Sequence, residues 1–562
     1  MSQAEPPSPE SILTGRWVAL IRGKIIAQGT SREQVIMIAR NIRNKEEAEI
    51  RYIPELPVSI PLLEKIREII SADQPVYLVG GAVRDAVLGQ SSHDLDFACK
   101  NGIQLARKVA NELSAAFFIL DESFDTARVI FQPEGEERTI LDFAGFRGPS
   151  LNEDLAGRDF TINAVAMDIK TGEIIDPLDG IRDIRARRIK ACSQDSILAD
   201  PIRILRAVRL AAGLGFSIEP ETRKLMKNSV SFLGNISAER LRDEIFKILE
   251  GPKPDVSMRA LEILGTFNII LPELVDLKNI TQSAPHVHDV WEHTASTLKH
   301  LEAILNALAP KYDEKTANSD LMNGLLVLRL GRYREQLGEY IARQATVDRS
   351  HRATLFFAAL YHDILKPQTR TVEENGRVRF LGHDQQGAII AAQRAKELRL
   401  SNHEIDTIKQ IIQYHMRIHG YANRQKEGKP ISPRAIYRFF RDNGETGLDL
   451  ILLALADVRG TWEQTLNPDY WTAVLDVCRT LLEAWFEKPD KFVRPPMLVN
   501  GNDIMEALSL NPGPEIGKIL EGIREFQVAG AIKTREGALV FARGWLSGHR
   551  EPEKIQKIQR IK

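Results

Sequence analysis

The residues with the plainest chemical potential lie between Leu78 and Phe97. The run Leu78-Val-Gly-Gly-Ala-Val-Arg-Asp-Ala-Val-Leu-Gly89 puts Gly80 and Gly81 at a strand-to-helix turn, and His93-Asp-Leu-Asp-Phe97 puts Asp94 and Asp96 at alternate positions of a strand. Glycines let backbone amides approach a phosphate at a helix N-terminus, and Arg84 on the first turn adds a fixed positive charge there. Two carboxylates two apart on a strand point to one face and can jointly hold divalent cations. Mg2+ held in that way stabilises both the attacking and the leaving oxygen of a nucleotidyl transfer. Asp142, in the alternating strand Thr139-Ile-Leu-Asp-Phe143, is the candidate third carboxylate. Taken singly, a Gly-Gly pair is an ordinary turn and an Asp-x-Asp an ordinary solvated strand.

A second group sits on a helix. In Asp200-Pro-Ile-Arg-Ile-Leu-Arg-Ala-Val-Arg209, Asp200 suits an N-cap and Pro201 the first helical position, and Arg203, Arg206 and Arg209 fall three apart along one face. The bland reading is a capped helix with a solvated basic side. The chemical reading is that an Asp carboxylate accepts from an exocyclic amine while an Arg donates to ring acceptors. Such a pair reads the Watson–Crick edges of C and A and finds the wrong pattern on U and G. A third group is His293, His362-Asp363, His383, His415 and Asp457. Imidazole plus carboxylate suits a divalent ion that activates water for phosphoester hydrolysis. A lone His-Asp pair is more often ordinary helical surface.

Arg158-Asp-Phe-Thr-Ile-Asn-Ala-Val-Ala166, Asp176-Pro-Leu-Asp-Gly180 and Glu239-Arg-Leu-Arg-Asp-Glu244 complete an ordered series with the first two groups. Over about residues 58–275 that series resembles the class II CCA-adding enzymes and bacterial poly(A) polymerases. The resemblance implies a polymerase-β-like head followed by a helical neck. It implies Asp94 and Asp96 as the Mg2+ ligands, with Asp142 where the family has its further acidic residue. It places Gly80, Gly81 and Arg84 at the triphosphate, with Arg158 and Asn163 in the same nucleotide site. It makes Asp200 and Arg203 the pair that selects CTP and ATP without a template, with Arg206 and Arg209 near the phosphates. Ala199 stands where the family carries Glu.

Val290-Trp-Glu-His-Thr294, Leu360-Tyr-His-Asp-Ile-Leu-Lys-Pro367, Gly382-His-Asp-Gln-Gln-Gly387, Tyr414-His-Met416 and Leu455-Ala-Asp-Val458 are similar to the successive elements of an HD-superfamily domain. By that resemblance His293, His362, Asp363 and Asp457 bind one metal, with His383 and His415 able to add a second. Imidazole ligands favour Ni2+, Co2+ or Mn2+. Leu365 stands where Gly is usual. Pro495-Pro-Met-Leu-Val-Asn-Gly-Asn-Asp503 and Leu510-Asn-Pro-Gly-Pro-Glu-Ile-Gly-Lys518 resemble the tail with which the same family holds the outer part of tRNA. There Pro514 opens a helix whose free amides, with Lys518 close by, suit a phosphate, although a plain capped helix fits as well. Arg417, Arg424, Lys426, Lys429, Arg434, Tyr437, Arg438 and Arg441 enrich the segment 417–441 in basic and aromatic residues and read mostly as a solvated face.

Elements must hold these groups in place. Val76–Val79 reads as a buried strand, followed by strands near 94–98, 116–120, 127–132 and 138–143 and a helix near 102–114, which makes the head α+β. From about Ser196 the period is helical, broken by Gly/Pro loops near 251–254, 425–433 and 494–501. Ahead of the head, 16–21 and 24–28 read as strands around Arg22-Gly23, with a helix from about Ser31 and a strand near Glu49 to Ile53. This β-rich appendage is similar to a short prokaryotic domain of unknown function. Pro54, Pro57 and Pro61 punctuate a linker after it. Five parts result: a small N-terminal domain at 13–54, a nucleotidyltransferase head at 58–192, an all-α neck at 193–275, an HD-domain body at 284–460 and a C-terminal helical tail at 461–550.

A chain of 562 residues exceeds one hydrophobic core, and 43% hydrophobic with 27% charged residues is an ordinary globular composition. The net charge of −1 leaves a polyanion to be held by local clusters. Cys99, Cys192 and Cys478 are odd in number and form no CxxC pair, which fits a reducing cytosol. Met1 to Glu10 carries no apolar run behind a basic start, and no stretch of 18 apolar residues occurs, so a cytoplasmic protein with no membrane contact is expected. The expected activity is template-independent addition of CCA to the 3′ end of tRNA from CTP and ATP, with a phosphohydrolase in the HD domain and no DNA partner. The rivals are a poly(A) polymerase or a partial CC- or A-adding enzyme and, from another class, an HD phosphohydrolase with an RNA-binding head.

Overall fold

A computed structural model describes residues 16–21, 24–42, 48–53, 60–71, 74–133, 138–312, 320–346 and 349–546. Residues 1–15, the Arg22-Gly23 turn, Pro54, Pro57 and residues 547–550 of the expected tail lie outside them. The chain forms two compact units, Met1–Asn235 and Ile236–Lys562.

The first unit opens with β1 (Arg16–Ile21), β2 (Lys24–Gly29), α1 (Arg32–Asn41) and β3 (Glu49–Ile53), the strands forming a sheet in the order β2-β1-β3. Ser31 caps α1 by accepting from the Gln34 amide. Trp17, Ala19, Ala27 and Val35 of this appendage share a buried cluster with Leu62, Leu63 and Ile66 of α2 (Ile60–Ile69) and with Leu78, Phe97 and Phe143 of the head. The Arg185 guanidinium lies over the Trp17 ring, 4.7 Å from its centre.

The head follows as β4 (Val76–Val79), α3 (Gly81–Val87), β5 (Asp94–Cys99), α4 (Gly102–Leu113), β6 (Ala116–Asp121), β7 (Thr126–Phe131), β8 (Thr139–Gly145), α5 (Leu151–Ala156), β9 (Ala166–Asp168), β10 (Ile174–Ile175) and α6 (Gly180–Arg185). Its seven-stranded sheet runs β10-β9-β4-β5-β8-β7-β6, with β5 and β8 parallel and the other pairs antiparallel. Alternation along β5 decides the site. Leu95 and Phe97 are buried in the same cluster as Leu105, Ala106 and Val109 of α4, so Asp94 and Asp96 emerge on the opposite, open face. The five head strands expected from the sequence are present. β9 and β10 were not expected, because β9 lies in the wholly buried run 162–167, which has no period of two to read. The unit closes with β11 (Arg188–Ile189), α7 (Ser196–Ala199), α8 (Arg203–Leu214), β12 (Ser217–Ile218) and α9 (Pro220–Ser229).

The second unit is helical. It comprises α10 (Ala238–Glu250), α11 (Pro254–Ile263), α12 (Phe267–Ile270), α13 (Val290–Ala307), α14 (Leu321–Leu330), α15 (Arg334–Ile341), α16 (His351–Tyr361), α17 (Lys366–Thr369), α18 (His383–Glu397), α19 (Asn402–Tyr414), α20 (Arg417–Lys426), α21 (Pro433–Asn443), α22 (Gly447–Trp462), α23 (Pro468–Phe486), α24 (Pro489–Phe492), α25 (Gly501–Leu508), α26 (Pro514–Val528) and α27 (Arg535–Leu546). Every residue of α22 from Gly447 to Thr461 is buried, the charged Asp449, Asp457 and Arg459 included. It crosses α13 so closely that a Cβ at Gly460 would stand 3.1 Å from the Thr297 amide nitrogen. Two hairpins, Gln344–Thr346 with Arg349–Ser350 and Arg370–Val372 with Val378–Phe380, interrupt the expected all-helical run. Strands of two or three residues are too short to show a period. An α+β head followed by a helical body is therefore what the sequence led us to expect and what the chain forms. No helix among the described residues is long and apolar enough to cross a membrane.

Candidate active site and metal centre

Asp96 and Asp142 are direct partners in the parallel β5–β8 pair, and Asp94 lies two residues before Asp96 on the same face. The proximity of Asp142, which the sequence could only suggest, is thus a matter of register. Arg128, its antiparallel partner on β7, grips the Asp142 carboxylate with Nε to Oδ1 at 2.8 Å and Nη2 to Oδ2 at 2.9 Å. Sequence reasoning missed Arg128. The available signal was a charged residue flanked by the buried Ala127 and Val129 of β7. Loss of solvation raises the pKa of Asp96, and the Asp142 and Asp94 carboxylates raise it further against the opposing charges of Arg158 and Arg206. Three crowded carboxylates are the all-oxygen donor set that suits Mg2+.

Gly80 follows β4 with φ 73°, and a Cβ there would lie 3.1 Å from Asp96 Oδ2 and 3.5 Å from Arg158 Nη1. A side chain would be strained and would fill the space between turn and carboxylate. Arg84 donates from Nη1 to Asn163 Oδ1 at 2.8 Å and from Nε to Asp85 Oδ1 at 2.8 Å. Arg158 donates from Nε and Nη2 to the buried Asp154 Oδ2 at 3.1 and 3.0 Å. The Asp176–Gly180 motif is scaffolding. Asp176 accepts from the Gly180 and Ile181 amides at 2.7 and 3.0 Å, and a Cβ at Gly180 would stand 2.1 Å from the Thr161 carbonyl oxygen.

The neck helix departs from expectation. Asp200 does not cap α8 and Pro201 does not open it, because a turn carrying Arg203 N to Asp200 O at 3.1 Å and Ile204 N to Pro201 O at 3.0 Å separates them from the helix, which begins at Arg203. Nor is the basic side simply solvated. Arg203 is buried and donates from Nη1 to Arg158 O at 3.0 Å and to Ser196 Oγ at 2.7 Å, and from Nη2 to Gly157 O at 2.8 Å. Arg206 donates from Nε to Asp159 Oδ2 at 2.9 Å, while Arg209 is half-buried further along. Asp159, also missed, is buried. Burial works against its ionisation, but Arg206, Asn163 and the Phe160 amide together hold its carboxyl below the usual range.

In the helical unit, α13, the C-terminal ends of α16 and α19, the start of α18 and the middle of α22 bring His293, His362, Asp363, His383, His415 and Asp457 together. Their donor atoms form two groups, His293 with His362 and Asp457, and Asp363 with His383 and His415. Asp363 faces both. Its Oδ2 is 3.3 Å from His293 Nε2 and 3.2 Å from His362 Nε2, and its Oδ1 is 3.4 Å from His383 Nε2. His293 Nε2 is 3.1 Å from Asp457 Oδ1, and the Nε2 atoms of His383 and His415 are 3.3 Å apart. His362, His383 and His415 each turn Nδ1 to the carbonyl oxygen three residues earlier, at 2.7, 2.6 and 2.6 Å. Those bonds assign the proton to Nδ1 and leave the Nε2 lone pairs pointing inward, as metal ligands require. Burial, then His383 and His362, push His415 down to about 3, so it is neutral. His293 is pushed up to about 9 despite burial, through its bonds to Asp363 and Asp457. Two further groups escaped the sequence reading. Lys366 Nζ lies 2.6 Å from Asp363 Oδ2, and His419 Nε2 lies 2.8 Å from Asp457 Oδ2.

Arg424, Lys426, Lys429, Arg438 and Arg441, five of the eight residues named in 417–441, are exposed, as a mostly solvated face requires. Arg434, Arg438 and Arg441 converge on Glu525 of α26 at 2.9, 2.7 and 3.0 Å, and Tyr437 donates to Glu521 at 3.2 Å. Arg417 pairs with Asp442 at 2.8 Å, whereas Arg424, Lys426 and Lys429 are exposed as expected. Pro514 does open α26, and Lys518 lies 3.7 Å from Glu515.

Against known families, residues 76–190 match the Poly A polymerase head domain, 215–277 the "Probable RNA and SrmB- binding site of polymerase A", 327–458 the HD domain and 492–542 the tRNA nucleotidyltransferase domain 2. The A-adding tRNA nucleotidyltransferase of Deinococcus radiodurans is 30% identical over 478 residues, covering 83% of this chain and 95% of that one. The CC-adding tRNA nucleotidyltransferase of Thermus thermophilus is 30% identical over 482 residues, covering 84% and 93%. A solved CCA-adding enzyme in complex with ATP shares the fold at TM-score 0.55 and 19% identity, covering 86% of this chain and 96% of that one. The Thermotoga maritima CCA-adding enzyme complexed with tRNA shares it at TM-score 0.51 and 20% identity, covering 87% and 96%.

Proposed function

Because the chain belongs to the family of tRNA nucleotidyltransferases that includes the class II CCA-adding enzymes, we propose that it builds CCA on the 3′ end of tRNA from CTP and ATP without a nucleic-acid template. The observation that carries this reading is the in-register pair Asp96 and Asp142, with Asp94 beside them and the Gly80 turn against Asp96. Asp94 and Asp96 would hold Mg2+, which supplies charge stabilisation for the attacking and leaving oxygens. Gly80, Gly81, Arg84 and Arg158 line the turn where the triphosphate would lie, and Asn163 fixes Arg84. Asp200 and Arg203 read the base. The carbonyls of Gly157 and Arg158 hold the Arg203 fork in one plane, the preorganisation that bidentate recognition needs. In this reading the division into 13–54, 58–192, 193–275, 284–460 and 461–550 is functional, and the chain works in the cytoplasm, where tRNA ends are made.

A second reading is addition of CC or A alone, since the two relatives matched over most of their length carry those names. One experiment separates the two. The protein is given tRNA lacking CCA, lacking CA or lacking only A, with each NTP separately and with CTP and ATP together, and the products are sequenced. Extension of all three substrates to CCA supports the first reading, and extension of only some supports the second.

The His/Asp centre of the helical unit would hold one or two divalent ions, and its mixed nitrogen and oxygen donors suit Ni2+, Co2+ or Mn2+. A metal of that kind supplies activation of water for hydrolysis of a phosphoester, a cyclic phosphate or a phosphomonoester at an RNA end or on a nucleotide.

A further inference from the structure

A line of side chains crosses the head sheet from the carboxylates to its edge. Asp96 is the register partner of Asp142 on β8, Asp142 of Arg128 on β7, and Arg128 of Phe118 on β6, so all four emerge on the same face. β6 is the last strand of the sheet, and at a spacing of about 4.8 Å between strands Phe118 stands roughly 10 Å beyond Asp142. The neighbouring Phe117 points the other way. It packs against the cluster that holds α4, with the Arg107 guanidinium 4.9 Å from its ring centre. Phe118 is 51% exposed. A single exposed apolar side chain is ordinary on a surface, but this one is an aromatic ring in register with the carboxylates of the candidate active site.

Phosphoryl transfer runs with the attacking and leaving oxygens roughly in line, on opposite sides of the phosphorus. The Gly80 turn, where the triphosphate would lie, follows β4 on one side of β5, and β8, β7 and β6 extend on the other. With pyrophosphate leaving toward Gly80 and Arg84, the 3′ oxygen of the RNA arrives from the Asp142 side, and the nucleotides that carry it lie over Arg128 and Phe118. Building on the nucleotidyl-transfer reading above, we infer that Phe118 is a stacking platform for the unpaired bases at the 3′ end of the RNA acceptor. Unpaired bases splay onto aromatic side chains, and a sheet face presents such a ring without rearrangement. Every base has a π-face, so one ring serves whichever base is last. That tolerance suits an acceptor whose terminal base changes as the end grows.

The test is Phe118→Ala, assayed with the tRNA end that the wild type extends. KM for that tRNA should rise about tenfold, within the range that alanine substitution of a stacking aromatic gives, while KM for the nucleotide at saturating tRNA keeps the wild-type value. Phe118→Tyr should restore the wild-type KM for tRNA, and Phe118→Leu should not. The same tRNA with abasic sugars in place of its unpaired terminal bases should bind the wild type and Phe118→Ala alike. An unchanged KM for tRNA in Phe118→Ala would overturn the inference. So would Phe118→Leu matching the wild type, or a gap that persists on the abasic RNA, because the ring would then be meeting something other than a base. Should Phe118→Ala melt far below the wild type, Phe118→Leu, which keeps the apolar bulk, carries the same comparison. A wild-type protein that adds no nucleotide to any tRNA end would instead fail the reading on which this inference rests.

Discussion

Arg128 and Asp142 face each other across β7 and β8, joined by two hydrogen bonds of 2.8 and 2.9 Å, so the carboxylate beside Asp96 is held in a single orientation and partly neutralised. The side chains are 32% and 24% exposed, so the pair contributes little to stability, about 0–1 kcal/mol. Arg128→Ala should therefore melt near the wild type. Its nucleotide addition should fall at least about tenfold, as when the orienting partner of a ligand is removed, and the Mg2+ dependence of the rate should shift. Unaltered rates across a Mg2+ titration would take Asp142 out of the site.

Arg203→Ala should act twice. Discrimination of CTP and ATP against UTP and GTP should drop by about 1–3 kcal/mol, measured from kcat/KM ratios. The carbonyls of Gly157 and Arg158 also lose a buried donor, so denaturant unfolding should show a loss of about 1–3 kcal/mol. An unchanged NTP preference would mean that the base is read elsewhere.

Asp363→Ala removes a carboxylate that faces both groups of histidines. The variant should lose Ni2+, Co2+ or Mn2+ binding by the helical unit, read by metal analysis after dialysis, together with hydrolysis of 2′,3′-cyclic AMP or p-nitrophenyl phosphate. CCA addition should persist. Hydrolysis that survives Asp363→Ala, or its absence from the wild type with all three metals, would leave the centre without the proposed activity.

The site was legible where chemistry follows the chain and illegible where it follows the fold. Asp94 and Asp96 could be read from their spacing on an alternating strand, and the six His and Asp residues from their motifs. Arg128 could not, since its role depends on which residue of β8 lies opposite it, and register is not written in either strand alone. His419 and Lys366 were missed for the same reason, since only helix packing brings them to Asp457 and Asp363. The error at Asp200 came from local reasoning. Asp-Pro is a good helix start, but a turn intervenes, and burial of Arg203 against the Gly157 and Arg158 carbonyls sets where α8 begins. The convergence of Arg434, Arg438 and Arg441 on Glu525 was not legible, because Glu525 lies some ninety residues downstream.

Acid should weaken the helical unit through Glu404. This buried carboxylate closes a capping box at Ser401 and accepts from Arg349 Nε and Nη2, both at 2.8 Å. Burial opposes its ionisation, but Arg349 and Ser401 prevail and hold its pKa below the ordinary value. A depressed folded-state pKa stabilises above the unfolded-state value, about 4.3, and that contribution is lost as the pH falls through the folded-state value. Glu404→Ala should cost about 3–5 kcal/mol at neutral pH by removing the carboxylate that pairs with Arg349 and closes the cap, and the gap to the wild type should narrow below about pH 4. A gap independent of pH would contradict the assignment.

Nucleotide transfer to tRNA at the Asp94 and Asp96 face is tested by incorporation of labelled CMP into tRNA lacking CCA by the wild type and by Asp96→Ala, with tRNA binding measured in parallel. Mg2+-dependent incorporation by the wild type and loss of nearly all of it in the variant are expected, with tRNA binding largely intact, because the substitution removes electrostatic stabilisation but few RNA contacts. No incorporation by the wild type, or near-normal incorporation by Asp96→Ala, would contradict it.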